Sequence, residues 1–358
     1  MKITHIECHL VEQPAAAPAF DWRAGLPGSP PDRISAVLRV IADTGEEGVA
    51  LTRNGVITKD LVDRRIREDL IGIDALDREF AWHRIWELDR IEEFPIYTLG
   101  LVDVALWDLA AKSAGLPLWQ FAGGFRHSLP AYASTSTFAS VSEYLEVVDQ
   151  SLALGYRAIK LHAWGDARKD AALAVAVRDH VGPDVPLMFD GSAGFDLADA
   201  VYVGRALGEA GYDWYEEPMR EASVHAYARL AERVDVPLLV GETSDGAHYN
   251  MADFIMSGCA AAVRTSTELK GGVTGALRVA HLADAFQLRA EIHGPGIAHE
   301  HLAMMIPNTT WYESLVTSNP VVRESIVGED GCIQAPTAPG VGLPAGLDYP
   351  AALSSHLI

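Results

Sequence analysis

Three acidic residues stand at equal spacing, and each follows a short apolar run. They are Asp190 after PLMF, Glu216 after YDWY and Glu242 after VPLLVG, with 26 residues from each one to the next. A carboxylate is an unusual end for a buried strand unless it has a partner or a ligand. Magnesium prefers oxygen ligands, so three carboxylates and no thiolate favour a hard cation such as Mg²⁺.

Further polar residues stand at the ends of other apolar runs. Lys160 and His162 lie in AIKLH, His293 ends RAEIH and Glu313 ends WYE, whereas the run that ends near Ser266 carries nothing ionisable at its tip. Side chains alternate along a strand, so Lys160 and His162 share one face. A lysine inside a buried strand normally has a partner or a task. These residues could supply acid and base groups beside the cation.

Alternating strands and helices must position these residues. Apolar runs and helical segments alternate from about residue 129, and this rhythm predicts eight strands, at 129–135, 157–162, 186–190, 213–216, 238–242, 261–266, 288–293 and 310–313. Eight such units favour a (β/α) barrel, in which functional residues collect at the carboxyl ends of the strands. An open doubly wound sheet would usually need a glycine-rich phosphate loop after its first strand, and none follows LPAYAST.

The N-terminal third has a different pattern. Residues 1 to about 55 predict strands, with a hairpin at DTGEEG and a long Pro- and Gly-rich loop before it. Residues 58–115 predict helices by the three- and four-residue spacing of their apolar positions. Residues 330–358 are again rich in Pro and Gly, and we expect them to pack back on the N-terminal region.

Composition and charge limit the kinds of partner that the protein can bind. A formal net charge of −21 argues against nucleic acid or an anionic membrane as a partner. It leaves a small carboxylate substrate open, because a metal ion reverses the charge locally. Three widely spaced cysteines predict no disulfide framework. We expect no signal peptide and no membrane span, and a cytoplasmic location.

The motifs together resemble the enolase superfamily, in its mandelate racemase and muconate lactonising branch. The resemblance rests on LVDVALWDLAAKSAGLPLWQFAGG, YRAIKLH, the FD, YEEP and GE motifs, KGGVTGALRVAHLADAF, EIHGPGIAHEHLA and WYE. It implies an α/β fold, a (β/α)7β modified TIM barrel with an α+β capping domain. The implied domains are a capping domain at 1–125, completed by the tail 326–358, and a barrel at 126–325.

The resemblance also implies roles for the strand-end residues. Asp190, Glu216 and Glu242 would hold one Mg²⁺ per active site. Two departures from the mandelate racemase-like pattern stand out. His162 replaces the second lysine of a Lys-x-Lys motif, and Ser266 or a neighbour stands where an aspartate would pair with His293.

The implied chemistry is removal of a proton next to a carboxylate, with the metal stabilising the enediolate. His162 is the expected base, Lys160 its electrostatic partner, His293 the acid, and Glu313 a group that binds the substrate. Trp22, Arg23 and Arg53 would contact the substrate from two capping-domain loops.

A base on one side of the substrate and an acid on the other side favour dehydration of a sugar acid to a 2-keto-3-deoxy acid. Racemisation or epimerisation, cycloisomerisation, and a catalytically silent sugar-acid-binding barrel are the alternatives. Family members commonly form dimers to octamers, so we expect a homo-oligomer.

Overall fold

An antiparallel sheet with helices forms the N-terminal part of the chain. The structure is a computed structural model and describes residues 1–13, 19–28, 33–344 and 347. Three strands pair in chain order, with the predicted hairpin between the last two: β1 Ile3–Gln13, β2 Arg33–Ala42 and β3 Glu47–Thr52. Five helices follow, with a π-helical turn at Val62–Ile66 between the first two: α1 Gly55–Leu61, α2 Arg67–Leu70, α3 Arg78–Glu92, α4 Ile96–Ser113 and α5 Leu118–Phe121.

Helix α4 is the central element of this part. It starts after Pro95, which cannot continue a helix toward its own N-terminus, and the chain turns at Gly115, which has a φ of +69°. Most of its side chains are buried, because α4 packs against both β3 and the barrel. In the described part of the chain, no helix has the length and apolar character needed to cross a membrane.

Eight parallel strands and the seven helices between them form the second part, as the alternating pattern predicts. The strands are β4 Ser128–Thr135, β5 Ala158–His162, β6 Leu187–Asp190, β7 Trp214–Glu216, β8 Leu238–Val240, β9 Ala262–Thr265, β10 Arg289–Ile292 and β11 Tyr312–Val316. The helices are α6 Val141–Ala153, α7 Ala167–Val181, α8 Leu197–Glu209, α9 Val224–Ala231, α10 Ala247–Met256, α11 Gly272–Ala285 and α12 Ile297–Met305. The sheet order is β10-β9-β8-β7-β6-β5-β4-β11, so the fold is a (β/α)7β barrel.

The Glu291 carboxylate and one main-chain hydrogen bond join the seam between β10 and β11. Among the described residues no strand ladder links these two edges. Instead the buried Glu291 carboxylate accepts hydrogen bonds from the Thr310 main-chain N–H at 3.1 Å and hydroxyl at 2.5 Å, and from Trp311 N–H at 3.3 Å. The main-chain N–H of Ala290 donates to the Asn308 carbonyl at 3.0 Å. The carboxylate thereby satisfies main-chain donors that a ladder would otherwise pair.

The C-terminal segment touches both parts of the molecule. Strand β12, Cys332–Gln334, pairs antiparallel with β4. Farther on, Val341 N–H donates to the buried Asp108 carboxylate in α4 at 2.6 Å, and Gly340 O accepts from Leu118 N–H at 2.8 Å. The described part of the tail therefore contacts the barrel through β12 and the N-terminal part through residues 340 and 341. Residues 345–346 and 348–358 lie outside the described residues, and the domain boundaries themselves stay a prediction.

Helices α3 and α4 dock on the turn that starts α11. The Asp103 carboxylate in α4 accepts from the Thr274 N–H at 2.9 Å and hydroxyl at 2.6 Å, and burial raises the pKa of Asp103 to about 7. The Trp82 indole in α3 donates to Gly271 O at 2.8 Å. Gly272 has a φ of +84°, and a Cβ there would lie 2.3 Å from an Asp103 oxygen. The Gly-Gly motif is therefore required both by backbone conformation and by this close contact.

Replacing Gly272 by alanine should separate these two requirements. Gly258 has a similar φ of +77° and no atom within 4 Å of the position of a Cβ, so it serves as the matched control. Gly258→Ala should lower the free energy of unfolding by about 1–2 kcal/mol, the cost of a left-handed alanine. Gly272→Ala should lower it by about 3 kcal/mol or more, because Asp103 must also move. Denaturant unfolding measures both, and equal losses would contradict the role of the Asp103 contact.

Candidate active site

The parallel register brings three predicted residues side by side at the carboxyl ends of β5, β6 and β7. His162 is level with Asp190, and Asp190 is level with Glu216. Strand β8 ends at Val240, so Glu242 follows two residues later from the loop. Because these are neighbouring strands of one barrel, the equal sequence spacing becomes spatial proximity.

The three predicted ligands form one cluster. One oxygen from each of Asp190, Glu216 and Glu242 lies within 4.8 Å of the other two. Asp190 and Glu216 are buried and Glu242 is partly buried. The Oε2 atom of Glu242 is buried and has no hydrogen-bond partner among the described residues. Three converging carboxylates with an unused buried oxygen fit one hard divalent cation.

Lys160 lies within this cluster and is 1 % exposed. Its Nζ is 3.2 Å from Asp190 Oδ2, 2.8 Å from Glu216 Oε2 and 2.7 Å from Glu313 Oε1. Burial alone would lower the pKa of Lys160, but Glu216 and Glu313 outweigh it and hold that pKa well above its usual value. In this arrangement Lys160 is an ammonium group that donates hydrogen bonds to three carboxylates.

A second buried cation, Arg264 on β9, was missed by the sequence reasoning. Its Nε donates to Glu216 Oε1 and its Nη2 to Glu216 Oε2 at 2.8 Å, so the pair is bidentate. Nη2 is also 3.3 Å from Glu313 Oε2. The available signal was the same as for Lys160, since AAVRTS also carries a charge inside an apolar run.

His162 stands at the Asp190 end of the cluster. Its Nε2 is 3.1 Å from Asp190 Oδ2, and Nδ1 is buried without a partner among the described residues. The main chain of His162 is fixed on both sides, because its N–H donates to the Thr135 hydroxyl at 3.3 Å and its carbonyl accepts from the Tyr144 hydroxyl at 2.8 Å. The Trp22 ring lies over the imidazole, with 4.9 Å between the ring centroids.

His293 stands at the Glu242 end. Its Nε2 is 3.1 Å from Glu242 Oε1. Burial would lower the pKa of His293, but the Glu242 carboxylate outweighs burial, and the pKa is raised. Ser266 is buried, and its hydroxyl accepts from Leu269 N–H at 2.9 Å, which caps a turn. His293 is thus paired with a predicted metal ligand, and the serine has a local structural contact.

Glu313 is held in its charged form. It accepts from Lys160, from the Ser134 hydroxyl at 2.8 Å and from Gly294 N–H at 2.7 Å. Burial would raise the pKa of Glu313, but Lys160 and Arg264 hold it well below its usual range. Glu313 is therefore a well-paired carboxylate, and its predicted contact with the substrate stays a prediction.

The loop that carries Trp22 and Arg23 is docked over the strand ends. Arg23 Nε donates to the Ser192 carbonyl at 2.6 Å, and Nη2 to the Ala193 carbonyl at 3.4 Å. Thr137 donates to the Asp21 carbonyl through its N–H at 3.1 Å and its hydroxyl at 2.8 Å. The Arg23 guanidinium therefore holds this loop against the segment that follows Asp190, while Trp22 covers His162. A substrate contact for Arg23 stays a prediction.

Arg53 lies on the second loop, at the surface. Its Nη2 is 3.3 Å from Glu268 Oε2, and both side chains are at least half exposed. An exposed ion pair of this kind contributes little to stability. Arg53 can therefore leave Glu268 at little cost to stability. The predicted contact between Arg53 and the substrate stays a prediction.

A second buried network holds the loop that carries Glu242. Glu221 accepts from Thr243 N–H at 2.8 Å and Ser244 N–H at 3.1 Å, and Lys270 donates to the Ser244 carbonyl at 2.8 Å. Burial raises the pKa of Glu221 to about 7 and lowers that of Lys270 to about 8. These residues were not predicted, because their contacts connect loops that are distant in sequence.

Comparison with known proteins decides the family. The model of the family described as "Enolase C-terminal domain-like" matches residues 143–345, more than half of the chain. The chain belongs to this family. The resemblance to the enolase superfamily that the motifs carry is confirmed.

Relatives with known names cover most of the chain. The 3,6-anhydro-alpha-L-galactonate cycloisomerase of Streptomyces coelicolor is 28 % identical over 86 % of this chain and 87 % of its own length. The L-talarate/galactarate dehydratase of Salmonella typhimurium is 28 % identical over 79 % of this chain and 71 % of its own length. The solved structure of D-glucarate dehydratase from Agrobacterium tumefaciens, complexed with magnesium, is 28 % identical, covers 100 % of both chains and has a TM-score of 0.87.

Magnesium should stabilise the protein through the carboxylate cluster. A ligand that binds only the folded state at 100 times its Kd adds about 2.7 kcal/mol to the free energy of unfolding. Thermal unfolding in EDTA and in saturating Mg²⁺ measures the effect. Glu242→Gln should remove most of the increase, because it neutralises the carboxylate that has an unused oxygen. Glu268→Gln, an exposed acid on a nearby loop, is the control and should keep it. An unaltered melting temperature in Mg²⁺ would contradict the metal assignment.

Proposed function

We propose that this protein removes the proton next to the carboxylate of a sugar acid in a Mg²⁺-dependent reaction, and eliminates water to give a 2-keto-3-deoxy acid. The observation that carries the proposal is the pair of histidines at opposite ends of one carboxylate cluster, His162 beside Asp190 and His293 beside Glu242. Dehydratases of sugar acids among the relatives and the solved structures support the same chemistry.

The cluster would hold the metal through Asp190, Glu216 and Glu242. The bound cation would stabilise the negative charge that develops on the substrate carboxylate when the neighbouring proton leaves. Lys160 adds a second positive charge at a fixed place, because three carboxylates hold its ammonium group. Glu313, Trp22, Arg23 and Arg53 are the proposed substrate contacts around this centre.

His162 is the proposed base. Asp190 accepts from the Nε2–H of the neutral imidazole in this assignment, and Nδ1 then carries the lone pair. The Nδ1 atom has no partner among the described residues that would compete for an incoming proton. Asp190 would also stabilise the imidazolium that forms when Nδ1 takes the proton.

His293 is the proposed acid. Glu242 raises its pKa, which favours the imidazolium needed to protonate a leaving hydroxyl. A neutral histidine at one end and a protonated one at the other suit elimination. Racemisation or epimerisation would instead need two competent bases, and Ser266 cannot activate His293 as an aspartate would.

Cycloisomerisation of a sugar-acid lactone or anhydro acid is the second candidate. It is favoured by the Streptomyces relative and by the D-galactarolactone cycloisomerase of Agrobacterium fabrum, which is 27 % identical over 97 % of both chains. The same proton removal would start both reactions, and only the leaving oxygen differs. A catalytically silent barrel is disfavoured, because the proposed ligands and both histidines are present. Homo-oligomeric assembly and a cytoplasmic location stay predictions.

A panel of acyclic sugar acids, lactones and anhydro acids with Mg²⁺ would test the proposal. Dehydration should give a 2-keto product from an acyclic acid, which a semicarbazide assay and NMR detect. Turnover confined to lactones or anhydro acids would replace dehydration by cycloisomerisation. If no member of a broad panel reacts or exchanges its proton with D₂O, the enzymatic proposal fails.

Two histidine variants should separate the base from the acid. On the best substrate, His162→Ala should lower both α-proton exchange in D₂O and product formation by about 10²–10⁴-fold. His293→Asn should lower product formation by a similar factor and leave exchange measurable. His281→Asn, at an exposed histidine of α11, is the control and should change neither. Full turnover by His162→Ala would contradict the base assignment.

A further inference from the structure

Arg264 is a buried cation with an unusually complete set of partners. It is 1 % exposed and is among the largest side chains buried to that degree. Besides the bidentate pair with Glu216, its Nη2 is 3.0 Å from the Tyr132 hydroxyl and 3.3 Å from Glu313, and its Nη1 donates to the Ile292 carbonyl at 2.7 Å. The guanidinium therefore connects its own strand β9 with β4, β7, β10 and β11.

The geometry fixes the orientation of the Glu216 carboxylate. Both of its oxygens are held by the planar fork of Arg264, and Oε2 also accepts from Lys160 at 2.8 Å. A lysine at 264 could supply the charge but not the two parallel donors. Burying a guanidinium is costly unless such contacts compensate, so a strictly structural barrel would more often have an apolar side chain here.

Arg264 also changes the charge that a cation meets. The interior cluster contains four carboxylates, on Asp190, Glu216, Glu242 and Glu313, and two cations, on Lys160 and Arg264. These six groups alone leave two negative charges in excess, and a protonated His293 reduces the excess to one. Loss of Arg264 would add one negative charge in either case, in an interior where water screens it little.

We propose that Arg264 is a positioning residue that acts through Glu216. It holds that carboxylate in place and reduces the net negative charge of the site, so that the site selects a divalent cation. The inference rests on the metal site of the proposed function and extends it. It assigns the control of which ion binds to a residue that is not itself a metal ligand. Arg264 touches no proposed substrate atom, so its effect is on the metal site itself.

Ion competition can test this without a substrate. Tb³⁺ and Ca²⁺ have similar radii and prefer oxygen ligands, so the ratio of their affinities reports mainly on charge. Trp214, whose indole nitrogen is 3.4 Å from Glu216 Oε2, can sensitise Tb³⁺ luminescence. Titration with Tb³⁺ and displacement by Ca²⁺ give the ratio for the unaltered protein and for each variant.

The expected result is a change that follows the charge at position 264. Arg264→Met and Arg264→Gln should raise the Tb³⁺/Ca²⁺ affinity ratio by about tenfold or more, as one removed unit charge at short range implies. Arg264→Lys should keep the ratio within about threefold of the unaltered value. Arg178→Met is the control, because among the described residues Arg178 donates only to main-chain carbonyls of the segments that follow α7 and α8, and the ratio should not change.

Each other result has a definite meaning. A ratio unchanged in Arg264→Gln, with binding intact, would overturn the role of Arg264 and leave the proposed function standing. An equal rise in Arg264→Lys would show that charge is not the cause, and would also overturn it. If the unaltered protein binds neither ion, the metal site of the proposed function fails together with the inference. If Arg264→Met does not fold, the glutamine and lysine variants decide.

Discussion

The interior of the barrel depends on the mutual compensation of buried charges. Lys160 and Arg264 would each be unfavourable alone in a buried strand, and so would the carboxylates of Glu216 and Glu313. Together they form one hydrogen-bonded network, and this network connects side chains of four strands, β5, β7, β9 and β11. Loss of one member would leave another charge unpaired in the interior, so each member depends on the others.

Much of this architecture could be predicted, because it follows from local patterns. Apolar runs that alternate with helical segments identify the eight barrel strands, and the parallel register places Asp190 beside Glu216. Glycines such as Gly115 and Gly272 mark turns because their backbone conformations are unfavourable for other residues. Strand alternation also predicts that Lys160 and His162 share a face, and both reach Asp190.

The remaining parts of the site depend on distances that no local pattern encodes. The pairing of His293 with Glu242 joins the segments that follow β10 and β8, which have β9 between them in the sheet. The sequence shows that Ser266 replaces the expected acid but not which group approaches His293. The contacts of Arg23 likewise depend on distance. Its charge predicts a substrate contact, but the sequence does not show that its guanidinium donates to the Ser192 carbonyl. Arg264 had a visible signal that was not used.

The pairing of β4 has a consequence for synthesis on the ribosome. β4 is the first barrel strand made, yet one of its edges is covered by β11 and β12, which are made last. About 180 residues separate β4 from β11, or roughly 10–40 s at translation rates of about 5–20 residues per second. Throughout that interval the nascent chain has an uncovered strand edge, the kind of surface that pairs with other chains. Protection by chaperones is therefore most needed after β4 emerges and before β11 is made.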